Sequence, residues 1–366
     1  MNESADERSD GPLDPAEPAA APDSAADSAA GTPPPSAPEH RTKRRKFLLG
    51  GLALVGVGVL LLAGAGWWAV GHYTGRVERI PNAFPTKVPA SAQPKDSAGG
   101  ETFLLVGVDS RSDLPTTGKD AKAPQWTYGA QRSDTMMLVH LPEDRSNAYV
   151  VSLPRDSWVD IPGHGKAKLN AAFSWGGPPL LIDTVQRLTD VKVDHLAVID
   201  WDGFKKLTDS VGGVDLTVDG ERRHMNGTQG LVYVRERHSL ARGDLDRTHR
   251  QQNFLRAVLS KVLTPGNLTN PLKTGEVLNN LTDSVSVDDR LGNGDLRDLL
   301  WGSRDIRPSG MVFMNAPVTG TDTIDGQSVV LLDAAKDRTL WDAMRADTLK
   351  SYVAGHRTDR LGTTTP

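Results

Sequence analysis

The chain has 366 residues, 24% of them charged and 38% hydrophobic, with 36 Gly, 24 Pro and no Cys. That length allows one or two globular domains with a sizeable core. The absence of cysteine excludes disulfide scaffolds, zinc ribbons, thiol nucleophiles and lipid anchors attached through cysteine. A formal net charge of −4 argues against a general nucleic-acid binder.

Residues 1–40 are almost wholly Ala, Pro, Ser, Asp, Glu and Gly. They cannot bury enough apolar area to offset the entropy of ordering, so a disordered acidic tail is expected. It closes on the basic flank Arg41-Thr-Lys-Arg-Arg-Lys46, after which residues 47–70 run 24 positions without a charge. Such a run spans a hydrocarbon core of about 30 Å as a helix. The basic flank, with Trp67, Trp68 and Tyr73 at the far end, puts residues 1–46 in the cytoplasm and the rest outside. Ala63-Gly64-Ala65 also fits a signal-peptide cleavage pattern, but the apolar run is about twice the usual length for a cleaved leader, so an uncleaved signal-anchor in the cell membrane is expected. Setting aside the six bases and nine acids of residues 1–46 leaves 36 basic and 37 acidic residues beyond, a nearly neutral outer part.

Residues 71–101, rich in Pro, Ala, Ser and Lys, read as a stalk. An α/β domain is expected over 102–355, because short β-branched runs alternate with segments of helical period, and 356–366 reads as a frayed tail. The patterning predicts strands over 103–108, 135–141, 148–153, 195–199, 214–218, 231–234, 311–316 and 328–331. It predicts helices over 177–188, 202–211, 246–263, 271–281, 295–302 and 334–345.

Common catalytic signatures are missing: there is no G-x-S-x-G elbow, no H-E-x-x-H and no P-loop. Acids and arginines instead recur at strand ends, where α/β sheets bind ligands. Examples are Asp109-Ser-Arg111, Arg132-Ser-Asp134 and Arg155-Asp156. Arg235 and Arg237, two apart, would share a strand face, and Arg247, Arg250 and Gln251 would share a helix face. Cations near a helix start are disfavoured by the macrodipole unless an anion is bound there. The same spacing fits a solvated face, with Glu236, Asp244 and Asp246 as salt-bridge partners. The histidines show no metal-ligand spacing, and His140, His164, His195 and His238 read as incidental.

Eight motifs in one order resemble the LytR-CpsA-Psr family of bacterial envelope proteins. They are Leu104-Leu-Val-Gly-Val-Asp109-Ser-Arg111, Arg132-Ser-Asp134-Thr, Leu153-Pro-Arg155-Asp156, Ile161-Pro-Gly-His-Gly165, Lys168-Leu-Asn170, Val211-Gly-Gly-Val214, Arg235-Glu-Arg237 and Gly243-Asp-Leu-Asp-Arg247-Thr-His-Arg-Gln-Gln252. The resemblance implies a central mixed β-sheet flanked by helices on both faces, with an apolar groove for a polyprenyl chain. It also implies a magnesium-dependent phosphotransferase that moves a glycopolymer from a polyprenyl-diphosphate carrier onto a peptidoglycan hydroxyl, and no nucleic-acid partner. By that resemblance Asp109 and Asp134 are the metal pair, and Arg132, Arg155, Arg235, Arg237 and Arg247 are the catalytic residues around the diphosphate. Arg111, Lys168, Asn170, Arg250 and Gln251 would bind substrate in a second rank. Segments 173–182, 254–262 and 278–281 are the expected groove walls. A polyprenyl-diphosphate hydrolase, a lipid-binding module and an envelope-linked transcription attenuator are the alternatives, the last disfavoured because an outward-facing domain cannot meet DNA. Two departures stand out: the 109–132 connection is long and carries Trp126 and Tyr128, and Gln131 stands where the family pattern has glycine.

Overall fold

Two neighbouring strands set the layering. In β2 (Glu101–Ser110) and β3 (Gln131–Leu141), Leu104, Val106, Val108, Met136 and Leu138 join one core while Phe103 and Met137 join a second. Alternate residues point to opposite faces, so strands apolar on both faces must be covered on both. The structure, a computed structural model, describes residues 77–89, 92–110, 114–119, 121–122, 124, 126–236, 240–262, 279–303 and 305–362. The expected tail (1–46), the expected span (47–70) and all but residues 279–281 of the expected 271–281 helix lie outside them. Among the described residues no helix is long and apolar enough to cross a membrane.

The central sheet has seven strands in the order β1-β10-β7-β2-β3-β4-β11. The remaining five are β1 (Glu78–Ile80), β4 (Ala148–Ser152), β7 (His195–Asp200), β10 (Val285–Asp288) and β11 (Met311–Asn315), while β5 (Trp158–Ile161) and β6 (Gly165–Lys168) pair in a separate hairpin. Strand β2 is parallel to β7 and antiparallel to β3, which is antiparallel to β4, itself parallel to β11. The carboxyl ends of β2, β4, β7 and β11 therefore share one edge with the amino end of β3. One face is covered by α1 (Leu169–Thr189), α6 (Ala334–Arg345) and α7 (Leu349–Gly355), through side chains such as Phe173, Leu181, Leu340, Trp341 and Tyr352. Each fully buried large side chain contributes about 1.5–3 kcal/mol. The other face is covered by α4 (Asp244–Val262) and α5 (Asn293–Gly302) through Leu255, Leu259, Leu296 and Leu299. A third cluster joins α4 to α2 (Trp201–Ser210), α3 (Gly227–Arg235) and the hairpin of β8 (Val214–Val218) and β9 (Glu221–Met225).

Five expectations need correction. The 71–101 stalk is part of the domain from Val77 onward, since β1 pairs with β10 and Ile80, Ala83 and Phe84 are buried in the core. Residues 231–234 are helical within α3: Asn226 and Gln229 form a reciprocal capping box, and Gly230 presses so close to the Phe254 ring that a Cβ would come within 2.4 Å. Helix α1 begins eight residues before the expected 177, continuing through Gly177, whose φ of 62° and ψ of −155° place the kink ahead of Pro178 and Pro179. The tail is tied down as far as Leu361: the Asn315 N–H donates to the Asp359 carbonyl (3.0 Å), the Leu361 N–H to the Phe313 carbonyl (3.0 Å), and Arg360 bridges Met314. The unpaired edge of β11 supplies the backbone partners that order it. The first two expected groove segments also part company, with Phe173, Leu181 and Ile182 on one face of the sheet and Phe254 and Val258 in the third cluster.

Candidate active site

The site grows from the shared strand edge. Pairing of β2 with β3 slips from Gly107 opposite Thr135 to Val108 opposite Ser133, leaving Asp134 as the extra residue of a bulge. Bulges re-aim the extra side chain. Here Asp134 meets the guanidinium of Arg155, which leaves β4 through Pro154. The turn after β4 is fastened to α1, as the Leu169 and Asn170 N–H groups donate to the carbonyls of Ser157 (2.9 Å) and Arg155 (3.0 Å).

Arg155 is the hub of a charge chain. Its Nε lies 3.6 Å from Asp156 Oδ2 and 3.8 Å from Asp244 Oδ1; Asp156 faces Lys168 Nζ at 3.1 Å, and Asp244 faces Arg247 Nη2 at 2.7 Å. Burial disfavours the Arg155 charge, but Asp134, Asp244 and Asp156 outweigh it and hold the guanidinium above the ordinary arginine value. Arg247 goes the other way: burial, only partly offset by Asp244, pulls it below that value. Burial also pushes the Asp244 carboxyl up, against the pull of Arg247 and Arg155.

Among the described residues, Arg155 Nε, Arg247 Nε and Nη2, and Asp244 Oδ2 are buried without a hydrogen-bond partner. Arg247 Nη2 is close enough to Asp244 for charge attraction but off the direction of a hydrogen bond. Unmet buried donors cost about 1–3 kcal/mol each, more when charged. Such donors call for an acceptor that the surrounding side chains do not supply. Arg132, Arg155, Lys168 and Asn170 line one cleft of about 820 Å³ together with Asp156, Asp244, Ser174 and Trp175.

Helix α4 is held over the strand ends by buried amides. Gln252 Nε2 donates to Ser152 Oγ (2.8 Å), the Met314 carbonyl (2.8 Å) and Asn315 Oδ1 (3.0 Å), and Thr248 Oγ1 donates to Asn315 Oδ1 (2.7 Å). Beside the cleft, Asp109 accepts from Trp201 Nε1 (2.8 Å) and lies 3.7 Å from Arg235 Nη2, whose guanidinium covers the Trp201 ring at 5.2 Å.

The structure thus gathers Arg132, Arg155, Arg247, Lys168, Asn170 and Asp134, with Asp109 and Arg235 forming a second group on Trp201. Arg111 and Arg237 lie outside the described residues. Because Arg235 ends a helix, it does not share a strand face with Arg237. The face expected for Arg247, Arg250 and Gln251 also divides, since the Arg250 guanidinium sits 5.0 Å over the Tyr233 ring while Arg247 turns to Asp244. Sequence reasoning offered Asp244 only as a salt-bridge partner and Asp156 only as a strand-end acid, and it gave Gln252 no role; nothing in the sequence pointed to Trp201. Of the four histidines read as incidental, His140, its charge disfavoured by burial, joins Thr102 Oγ1 to Asp347, His195 faces Asp288, His164 packs on Trp175, and His238 lies outside the described residues.

Among the described residues no three His, Asp or Glu side chains gather to hold a metal. Asp109 pairs across the strands with Arg132, and Asp134 is two residues further along β3. Asp109 is engaged by Trp201 and Arg235 and Asp134 by Arg155, so they offer a magnesium ion two carboxylates near the strand ends, with water and phosphate to complete its shell, and no all-protein cage.

Residues 76–346 match the LytR_cpsA_psr family, and the chain belongs to it. It is 32% identical over 309 residues to the Corynebacterium glutamicum protein named Probable cell wall biosynthesis protein LcpB, covering 80% of this chain and 70% of that one. It is 28% identical over 292 residues to the polyisoprenyl-teichoic acid–peptidoglycan teichoic acid transferase TagU of Bacillus cereus, covering 73% and 88%. Among solved structures, the LytR-Csp2A-Psr enzyme from Actinomyces oris superposes with a TM-score of 0.56 at 20% identity, covering 74% of this chain and 96% of that one. TagT bound to LI-WTA gives 0.52 at 23%, covering 68% and 90%. At these identities the structural likeness speaks for the fold alone.

Proposed function

We propose that this chain is a membrane-anchored phosphotransferase that acts outside the cytoplasm, moving a glycopolymer from a polyprenyl-diphosphate carrier onto a hydroxyl of peptidoglycan. The observation that carries the reading is the pair of guanidinium groups with buried N–H left without partners, Arg155 in the wall of a cleft that Arg132 and Lys168 also line, and Arg247 behind it on Asp244. A diphosphate supplies the missing acceptors, and arginine grips phosphate oxygens in pairs. Relatives named as a teichoic acid transferase and a cell wall biosynthesis protein support the substrate class.

The acceptor oxygen forms a bond to the phosphorus nearer the sugar, the bridging P–O bond breaks, and polyprenyl monophosphate leaves. Arg155 and Arg247 hold and neutralise the phosphates, with Lys168 and Arg132 at the rim. Asp244, raised by burial and with Oδ2 unmatched, takes the acceptor's proton. Asp109 and Asp134 would hold magnesium, which when bound supplies further charge neutralisation. No covalent intermediate is needed, in keeping with the missing nucleophile motifs.

The test is transfer from a short synthetic polyprenyl-diphosphate glycan to peptidoglycan fragments by the full chain in detergent. Appearance of polyprenyl monophosphate with glycan on the acceptor is expected. Release of free glycan phosphate to water alone would make the protein a hydrolase. Protease added to intact protoplasts should remove the domain and leave a membrane-bound stub.

A further inference from the structure

The connection between β2 and β3 gathers aromatic surface beside the cleft, and its last part is fastened on both sides of one ring. Gln131, 3% exposed, accepts from the Thr127 N–H (2.7 Å) and donates to the Pro124 carbonyl (3.0 Å). The Gly129 N–H donates to the carbonyl of Ser174, a residue of the cleft wall (2.9 Å). The indole of Trp126 lies against Gly177, where a Cβ would come within 2.8 Å of it. Between Thr127 and Gly129, Tyr128 is 70% exposed, the most exposed large apolar side chain described. Trp175, the next residue after Ser174, lines the cleft itself, with its ring 5.0 Å from that of His164.

A ring that is merely tolerated on a surface needs no fastening, and Tyr128 has a backbone anchor on each side. The cleft therefore combines a cationic floor of Arg132, Arg155 and Lys168 with Trp175 in its wall, and the segment that carries Tyr128 is bonded to that same wall at Ser174. A pyranose joined to phosphate matches both parts. Its phosphate calls for guanidinium groups, and the C–H face of its ring packs on an aromatic face while its hydroxyls stay at the wet rim.

We propose that Trp175 and Tyr128 form a sugar-binding subsite for the pyranose nearest the diphosphate, with Gln131 as a positioning residue that holds the Tyr128 segment in place. The proposal rests on the reading of the cleft as a glycosyl-diphosphate site. It also gives the glutamine found in place of glycine a task, since only a side chain can tie Thr127 to Pro124.

The experiment uses the full chain in detergent micelles and two probes: polyprenyl diphosphate, and the same lipid bearing one N-acetylhexosamine. Binding is measured by calorimetry. Wild type should bind the sugar-bearing probe more tightly. Tyr128→Ala, Trp175→Ala and Gln131→Ala should each weaken it by about tenfold, leaving the sugar-free probe within about twofold of wild type, and Tyr128→Phe should restore affinity. Trp175 also packs on the core, so a melting curve accompanies its variant; should that variant unfold, the exposed Tyr128 decides. Unchanged affinity of Tyr128→Ala for the sugar-bearing probe overturns the subsite. Equal loss of both probes assigns the aromatic flank to the lipid tail and overturns it too. If wild type binds neither probe, the glycosyl-diphosphate reading fails and the subsite with it; if it binds both equally, only the subsite fails.

Discussion

Arg247 is a cation that the fold keeps in an unfavourable place: its side chain is 6% exposed, it sits in the first turn of α4, and burial lowers its affinity for the proton. A bound diphosphate reverses each of those penalties. Arg247→Ala should therefore lower transfer by two or more orders of magnitude, since preorganised charge is usually the largest catalytic contribution. Arg247→Lys should remain well below wild type, because an ammonium cannot make a paired contact. Arg256, further along α4, is engaged elsewhere, donating to the Gly362 carbonyl (3.1 Å) and Asn253 Oδ1 (2.8 Å). Arg256→Ala should cost about 1 kcal/mol of stability and leave the transfer rate near wild type. Equal small losses at both positions in the transfer assay would return the cluster to a salt-bridged surface. For the metal, Asp109→Asn and Asp134→Asn should each raise the magnesium concentration needed for half-maximal transfer, and the double variant should be no worse than the weaker single, as residues acting as a unit are non-additive. A magnesium requirement unchanged from wild type in both singles would remove the pair from that role.

At the scale of elements, what the sequence made legible follows from burial. Strands β2, β3, β4, β7 and β11 carry apolar residues on one or both faces, and their periodicity announces them. Strand β9, Glu-Arg-Arg-His-Met, is exposed at its first four positions and carries no such pattern, so it was invisible. Helix α3 was misread because Leu231 to Val234 is a short apolar run, which suits a strand as well as a helix; the Asn226 and Gln229 pair was the available signal. The first half of α1 was hidden by Gly-Gly-Pro-Pro, which reads as a break and is in fact a kink. The strand-end charges were legible, whereas their assembly was not: the bulge that turns Asp134 to Arg155 is a slip of register, visible only in the paired strands. Helix α4 depends on Gln252, fully buried and bonded to three partners across β4 and β11. Gln252→Ala leaves those partners unmatched and should cost about 2–3 kcal/mol in urea denaturation, with a fall in transfer as the helix start loosens. Gln252→Glu adds a buried charge and should be worse still.

At the scale of the whole molecule, stability should depend on pH through one buried carboxyl in α6. Asp337 in the first turn of α6 is 4% exposed with Oδ1 unpartnered among the described residues, and burial, then the nearby Asp333, push it up to about 7. Between its unfolded value of 3.8 and about 7 the folded chain holds a proton that the unfolded chain has released. Its contribution to stability is therefore complete below the unfolded value and lost as pH rises through the folded one, by up to about 4 kcal/mol. Wild type should melt at a lower temperature at pH 8 than at pH 5.5, and Asp337→Asn should flatten that slope and raise the melting temperature at pH 8. An identical slope in the variant would place the dependence elsewhere. The chain's last described stretch has a practical reach of its own. Asp359 binds Asn315 Nδ2 (2.9 Å) and Arg242 Nη1 (3.3 Å), and Arg242 Nε in turn holds Asp246 (2.7 Å) in the first turn of α4. Whatever pulls on that stretch, whether a purification handle, a surface linker or a clipping protease, pulls through two ion pairs on the helix that carries Arg247. An affinity tag therefore belongs at the opposite terminus, and a carboxyl-terminal fusion that folds but transfers poorly should be suspected before the catalytic residues are.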